Sequence, residues 1–202
     1  MGGTAIIQKW NEVDYMKQTL ISEQKILEEV EKAITEGLDI GAKRVKPESS
    51  LIKDLGAESL DFLDINYRLE QTFGIKMARH SVIEHMEEMF GEESALDSDG
   101  KLTEKAVKVL GRRFNNAGGE LRAGMDMDEL PGHVTVQSIA EGVGNLLDSL
   151  PESCTGCGAQ SWTLEDETRI KCGGCGEHAA FANGDDLVDE WLTEVQKQEK
   201  IF

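Results

Sequence analysis

The sequence predicts a mainly α-helical fold that carries a small β module near its C-terminus. Several segments repeat apolar residues at helical spacing, and the composition, 39% apolar but only 5% aromatic, favours an aliphatic core. All four cysteines lie in two close pairs, with short strand-like segments between them. The pattern divides the chain into an N-terminal arm (1–20), a main helical domain (21–150) with an inserted helical segment (76–132), a β module (151–182) and a C-terminal helix (183–202).

The first helix is predicted at residues 22–38, after an arm that we expect to pack on the main domain. The arm has a loose helical spacing of apolar residues at Ile6, Ile7, Trp10, Val13 and Met16. Ser22 is a suitable helix cap because its side-chain oxygen can accept a free first-turn amide. The apolar stripe that follows is Ile26, Leu27, Val30, Ile34 and Leu38.

The stretch from Val45 to Phe73 predicts a loop that presents a serine, followed by a helix. Pro47 is incompatible with a helix interior, and Gly56 permits a backbone conformation closed to most residues. Leu51 and Leu55 can anchor the loop on a core. Ser59 is then expected to be the N-cap of the next helix.

That next helix is predicted to run from Ser59 to Gly74, with one apolar and one acidic face. The apolar stripe is Phe62, Ile65, Leu69 and Phe73, and Leu60, Leu63 and Tyr67 are expected to widen it. Asp61, Asp64 and Glu70 lie off the stripe and are expected to face water.

This stretch resembles the acyl carrier proteins. The shared features are the Pro-x-x-x-Leu-x-x-Asp-Leu-Gly-Ala loop, the serine, the acidic helix and the Phe-Gly-Ile of Phe73–Ile75. Glu58 stands where the family usually has aspartate. The resemblance implies an acyl-carrier-type four-helix bundle, with Ser59 as the attachment site of a 4′-phosphopantetheine arm that holds acyl groups as thioesters.

The resemblance also implies partners. A phosphopantetheinyl transferase would load Ser59 from coenzyme A, and acyl-loading and acyl-processing enzymes would use the loaded carrier in fatty acid, polyketide-like or other specialised acyl biosynthesis. The expected docking residues are Glu58, Leu60, Asp61, Leu63, Asp64 and Glu70. The carrier itself is expected not to be an enzyme, since the sequence has no evident nucleophile–base pair or open metal site. The alternative is a zinc-dependent interaction adaptor with an unmodified carrier-like domain.

The segment 76–132 exceeds what a typical carrier domain has between its second and last helices. Helices are predicted at Ser81–Phe90 and Leu102–Phe114, a turn at Asn115–Gly119, and the last bundle helix at Thr135–Leu147. Lys101, Lys105, Lys108, Arg112 and Arg113 make one inserted helix basic. The protein's own carboxylates are expected to neutralise this face, the alternative being contact with a phosphate or a partner. The insertion either covers an acyl chain, forms a docking surface, or extends the core.

The β module is predicted to be a zinc ribbon. Cys154 and Cys157 form one Cys-x-x-Cys-Gly turn, Cys172 and Cys175 form another, and 14 residues separate the pairs. Four thiolates favour structural zinc, although iron uses the same ligand set; His178 is not needed as a ligand. Two short strands are expected around Trp162 and Ile170. The ribbon is expected to recruit a partner or to self-associate.

The charge of the chain opposes some functions. The formal net charge is −18, and residues 151–202 contain four basic and eleven acidic residues, so attraction to nucleic acid is not expected. No segment approaches the length of a membrane-spanning helix, and a cytoplasmic protein is expected. In the closing helix, predicted at Asp185–Lys197, Trp191 is expected to pack on the ribbon or on a partner.

Overall fold

The structure is a computed structural model, and it describes residues 15–114 and 121–202, without the side chain of Phe114. The described part is mainly helical, as predicted, with two small antiparallel sheets. The helices are α1 (Glu23–Gly37), α2 (Ser59–Phe73), α3 (Val82–Phe90), α4 (Glu104–Phe114), α5 (Val136–Leu147) and α6 (Gly184–Glu199), and short 3-10 helices span Ala42–Arg44 and Met127–His133. The strands are β1 (Tyr15–Met16), β2 (Leu150–Pro151), β3 (Trp162–Glu165) and β4 (Arg169–Cys172).

Helices α1, α2 and α5 pack around a first hydrophobic core. The predicted stripes supply it, because Val30, Ile34, Leu69 and Val143 are completely or almost completely buried. The predicted Ser22 cap is also confirmed, because its hydroxyl accepts the Lys25 amide at 3.2 Å. At the start of α5, the Thr135 hydroxyl accepts the Ser138 amide at 3.1 Å in the same way.

The segment before α1 is pinned to the segment after α5. Tyr15 pairs with Pro151 and Met16 with Leu150 in the antiparallel sheet of β1 and β2. The buried Gln18 side chain then closes the turn into α1, since its oxygen accepts the amides of Leu20 and Ile21. Residues 15–20 therefore pack on the main domain, but Met16 lies in a strand rather than a helix and is 41% exposed. The predictions for Ile6, Ile7, Trp10 and Val13 lie outside the described residues.

Helices α3, α4 and α6 enclose a second hydrophobic core. Its buried members include Met86, Val109 and Leu192, one from each helix. The expectation that Trp191 packs on the ribbon was wrong, because the Trp191 ring packs against this second core and lies beneath the Arg113 guanidinium, 5.4 Å from its ring centre. The inserted segment and the C-terminal helix therefore stabilise each other. The predicted turn at 115–119 lies outside the described residues.

The basic face of α4 is partly neutralised by α6. Lys108 lies 3.5 Å from a Glu199 carboxylate oxygen, and Arg112 pairs with the same carboxylate. Lys105 lies over the Phe202 ring, 5.4 Å from its centre. The expectation that the protein's own carboxylates neutralise this face is thus confirmed for Lys108 and Arg112.

The β3–β4 hairpin packs against the first core. Ile170 of β4 is 1% exposed within that core, and Trp162 packs at its edge and donates its ring N–H to the Pro151 carbonyl at 3.1 Å. The Arg169 guanidinium donates to the Gln71 carbonyl near the end of α2. Among the described helices, none is long and apolar enough to cross a membrane.

Candidate functional site

The loop before α2 is held rigidly in place. Leu51 is fully buried and Leu55 is 7% exposed, so both predicted anchors are confirmed. The Ser50 hydroxyl donates to the Gly132 carbonyl at 2.8 Å, which ties the loop to the segment before α5. Gly56 adopts a φ of +77°, a conformation that a side chain would disfavour, and the Ala57 amide then donates back to the Leu51 carbonyl at 2.8 Å. The next residues are therefore presented at a fixed point of the surface.

Ser59 is the first residue of α2 rather than its cap, so the predicted capping role was wrong. Glu58 occupies the cap position in an extended conformation, and the Asp61 carboxylate accepts the Glu58 amide at 2.7 Å. The Asp61 amide in turn donates to the Glu58 carbonyl at 3.0 Å, so Glu58 and Asp61, rather than the serine hydroxyl, close the start of the helix.

The Ser59 hydroxyl is available for chemistry. Ser59 is exposed, and its side chain makes no hydrogen bond to any other described residue. The amides of Ser59 and Leu60 likewise have no partner in the described part of the chain. Because these amides point along the positive end of the helix dipole, an anion attached to the Ser59 oxygen would be stabilised there.

An exposed apolar strip follows Ser59 along α2. Leu60 is 77% exposed, Leu63 58% and Tyr67 59%. The expectation that these three side chains widen the buried stripe was wrong, because Ile65, Leu69 and Phe73 alone of α2 are buried and no other described element covers the opposite edge. Three large apolar side chains left in water at the spacing of one helix face indicate a contact surface.

The acidic residues of α2 do not all face water. Asp64 is about half exposed and pairs with Arg68 at 2.6 Å. The Glu70 side chain is only 11% exposed, bonds to Arg79 at 2.8 Å and accepts the Met77 amide at 2.9 Å. The expectation that Glu70 faces water was therefore wrong, since this carboxylate closes the turn that joins α2 to the inserted segment.

The four cysteines converge on one point. Their sulfur atoms all lie within 4.8 Å of one another, and the Sγ–Sγ distances are 3.6 Å for Cys154–Cys175 and 3.6 Å for Cys157–Cys172. Sulfur atoms bound tetrahedrally to zinc lie about 3.8 Å apart, because each Zn–S bond is ~2.3 Å. The donor set and its spacing therefore fit a four-thiolate metal site.

Backbone amides favour the thiolate form of Cys172. Hydrogen bonds from the amides of Cys175 and Gly174 hold the pKa of the Cys172 thiol down to about 6, and the Gly174 amide lies 3.3 Å from that sulfur. The turns need glycine, since Gly158 and Gly176 have φ of +73° and +81°. The two strands predicted between the cysteine pairs form as β3 and β4, and Leu164 lies opposite Ile170.

A second group of potential metal ligands was missed by sequence reasoning. His80, His85 and Asp185 place one ligand atom each within 4.8 Å of one another. The two histidines flank the start of α3, which is a weak signal by itself. No signal in the sequence relates them to Asp185, a hundred residues later.

Comparison with known proteins assigns the first site to a family. The family described as "Phosphopantetheine attachment site" matches residues 28–86, which include Ser59. An acyl carrier protein of Nitratidesulfovibrio vulgaris (strain DP4) is 42% identical over 50 residues, 25% of this chain and 66% of that protein. An acyl carrier protein of Helicobacter pylori (strain G27) is 38% identical over 52 residues, 26% of this chain and 67% of that protein.

The chain thus spans about two thirds of the length of these curated relatives, and most of the chain has no counterpart in them. No solved structure matches it significantly. The matched segment contains the loop, the serine and the exposed helix face described above. Because this segment aligns with the family and with two thirds of the Helicobacter pylori relative, the chain belongs to the acyl carrier protein family.

Proposed function

We propose that this protein carries acyl groups as thioesters on a 4′-phosphopantetheine arm attached to Ser59. The supporting observation is the presentation of Ser59: an exposed hydroxyl, without a hydrogen-bond partner among the described residues, at the first position of a helix inside the matched segment. Loading would be a nucleophilic substitution, in which the Ser59 oxygen attacks the β-phosphorus of coenzyme A and adenosine 3′,5′-bisphosphate leaves. The serine proton passes to a base of the transferase.

The surface beside Ser59 supports docking of basic enzymes. Leu60 and Leu63 offer apolar contact area, and Glu58 and Asp61 place negative charge beside it. Asp64 adds less charge because it is paired with Arg68. Complementary charge mainly accelerates encounter and excludes wrong partners, while the buried apolar contacts supply affinity. Glu70 contributes less to such a surface, because it is already paired with Arg79.

We also propose that the four cysteines hold structural zinc. Four thiolates close the coordination sphere, so this zinc has no open position for catalysis. We further propose that the protein acts as a carrier and not as an enzyme. A module this small has little core of its own, so metal binding would drive its folding. Because Ile170 lies in the first core, the zinc would also hold the ribbon against the carrier helices. Recruitment of a partner or self-association through the ribbon remains part of this proposal.

The finer assignments are proposals as well. We propose a role in fatty acid, polyketide-like or other specialised acyl biosynthesis, in the cytoplasm, with a phosphopantetheinyl transferase and acyl-processing enzymes as partners. The strongly negative charge agrees with the absence of nucleic acid among these partners.

Intact mass tests the carrier role. The full chain is incubated with coenzyme A and a broad-specificity phosphopantetheinyl transferase, and its mass is measured in native and denaturing conditions. We expect one phosphopantetheine on the wild type and on the Ser22→Ala control, none on Ser59→Ala, and slower loading of Leu60→Ala. We expect the native spectrum, but not the denatured one, to show a bound zinc ion that is lost in Cys157→Ser.

Two outcomes would contradict the proposal. Loading of Ser59→Ala as fast as the wild type would place the modification elsewhere. No loading of the wild type by several transferases, with zinc still bound, would instead favour the zinc-dependent adaptor with an unmodified carrier-like domain.

A further inference from the structure

Two histidines and one aspartate converge where α3 meets α6. The Asp185 Oδ1 atom lies 3.1 Å from His85 Nε2 and 3.4 Å from His80 Nδ1. Atoms bound tetrahedrally to zinc through nitrogen and oxygen lie about 3.3 Å apart, because each bond is ~2.0–2.1 Å. The carboxylate oxygen therefore lies from each histidine nitrogen at the separation expected for two ligands of one small cation, and the group offers three ligand atoms within 4.8 Å of one another.

A carboxylate behind the buried histidine fixes its orientation. The His85 side chain is 4% exposed, and its Nδ1 lies 2.7 Å from Asp189 Oδ1. When this nitrogen carries the proton and donates to Asp189, Nε2 is left with its lone pair directed toward Asp185. Carboxylate–histidine–metal arrangements use this same relation, in which an outer carboxylate selects the tautomer and increases the basicity of the ligand.

The Asp185 carboxylate is itself preoriented. Its Oδ1 accepts the amides of Arg79 and His80, each at 3.0 Å. The carboxylate is thus fixed relative to the loop before α3, although Asp185 belongs to the first turn of α6. Because Oδ1 already accepts two amides, a bound ion would share its lone pairs with them or use Oδ2, which lies 3.1 Å from the Arg79 amide. His80, whose side chain is 57% exposed, approaches from the solvent side.

We propose that His80, His85 and Asp185 form a second metal site, which binds a divalent transition-metal ion such as Zn²⁺, with Asp189 as the positioning residue for His85. Two imidazoles and a carboxylate suit zinc and its first-row neighbours better than magnesium or calcium, which prefer oxygen ligands. Three protein ligands leave one position open, on the side of the exposed His80. The bound ion would join the loop before α3 to α6 and so stabilise the second hydrophobic core.

The competing state of the same residues contains no metal. If both His85 ring nitrogens are protonated, the imidazolium donates one hydrogen bond to Asp189 and one to Asp185. This ion pair would also link α3 to α6. The ion pair requires a proton on His85 Nε2, whereas the metal-bound state requires a lone pair on the same atom. Metal-binding experiments therefore distinguish the two states, which a measurement of folding stability alone would not do.

Metal counting on the full chain tests the proposal. The apoprotein is titrated with Zn²⁺ and examined by native mass spectrometry, and Co²⁺ is used in parallel because only thiolate ligation gives sulfur-to-cobalt charge-transfer absorption. We expect two zinc ions on the wild type. The first Co²⁺ equivalent should generate the thiolate band, and the second should add d–d absorption without it.

Matched variants assign the second ion. His80→Ala and Asp185→Asn should retain one zinc and the thiolate band, and Asp189→Asn should weaken the second ion at least tenfold, as loss of such outer partners does. Asp186→Asn removes the same charge from the neighbouring position of α6 and should keep both ions. In folded protein, as judged by circular dichroism, a single zinc on the wild type would overturn the proposal and leave the imidazolium ion pair. The proposal would also be overturned if Asp186→Asn lost the second ion to the same extent as Asp185→Asn. Neither result depends on whether Ser59 is loaded.

Discussion

Replacing Ile170 by alanine tests whether the ribbon and the carrier helices are one folding unit. Ile170 is 1% exposed, and its side chain lies in the first core although it belongs to β4. Alanine removes three carbon atoms, which corresponds to about 2.4 kcal/mol at ~0.8 kcal/mol for each buried methylene. The cavity that remains adds about 1 kcal/mol, so the free energy of unfolding should fall by about 3–4 kcal/mol.

The assay is denaturant and thermal unfolding of the zinc-loaded protein, followed by far-UV circular dichroism, which reports on the helices. For a chain of this size, 3–4 kcal/mol corresponds to a decrease in Tm of roughly 6–16 °C. Thr163→Ala is the control, because Thr163 lies exposed on the adjacent strand and its loss should change stability by at most about 0.5 kcal/mol. An unchanged helix transition in Ile170→Ala would refute the reasoning, since the ribbon would then be an independent appendage.

Two further substitutions test local features. A Cβ on Gly184 would collide with the Ala78 backbone, so Gly184→Ala should lower the free energy of unfolding by about 2–3 kcal/mol in thermal unfolding. In the control Gly142→Ala, the Cβ position inside α5 is open, so the free energy of unfolding should rise by about 0.5–1 kcal/mol. Equal effects of the two substitutions would contradict the close contact at Gly184. Burial raises the pKa of the Asp148 carboxyl, so its ionised form destabilises the fold increasingly as pH rises through the unfolded and then the folded pKa. Asp148→Asn, at the end of α5, should therefore raise the free energy of unfolding by about 0.5 kcal/mol at pH 7 and leave it unchanged near pH 3. An equal increase at both pH values would show that the ionised Asp148 carboxylate is not the cause.

Much of the candidate site could be predicted because its signals are local. The Ser59 loop depends on residues within one short segment, such as Leu51, Leu55 and Gly56, whose buried positions or special backbone angle follow from residue type. The cysteine pairs are equally local, since each Cys-x-x-Cys turn is complete by itself and the hairpin between them brings the pairs together.

The errors concern side chains whose partners are distant or ambiguous. An apolar stripe on α2 shows which face can be buried, but the width that neighbouring helices cover is a property of their packing. The periodicity therefore predicts that Leu60, Leu63 and Tyr67 widen the buried stripe, whereas in the structure they are exposed. Glu70 appeared free because its partner Arg79 lies beyond the helix end, across a turn whose geometry is not encoded in the periodicity.

The sequence by itself determined the helical fold class, the serine-presenting loop and the four-cysteine cluster, because each arises from residues that are near neighbours in the chain. Only the tertiary structure decided that α6 completes the inserted segment, that Ile170 of the ribbon enters the first core, and that Asp185 joins His80 and His85. The physical reason is that these contacts join segments far apart in the chain, and the amphipathic pattern of each segment fixes which face is buried without fixing the partner that buries it.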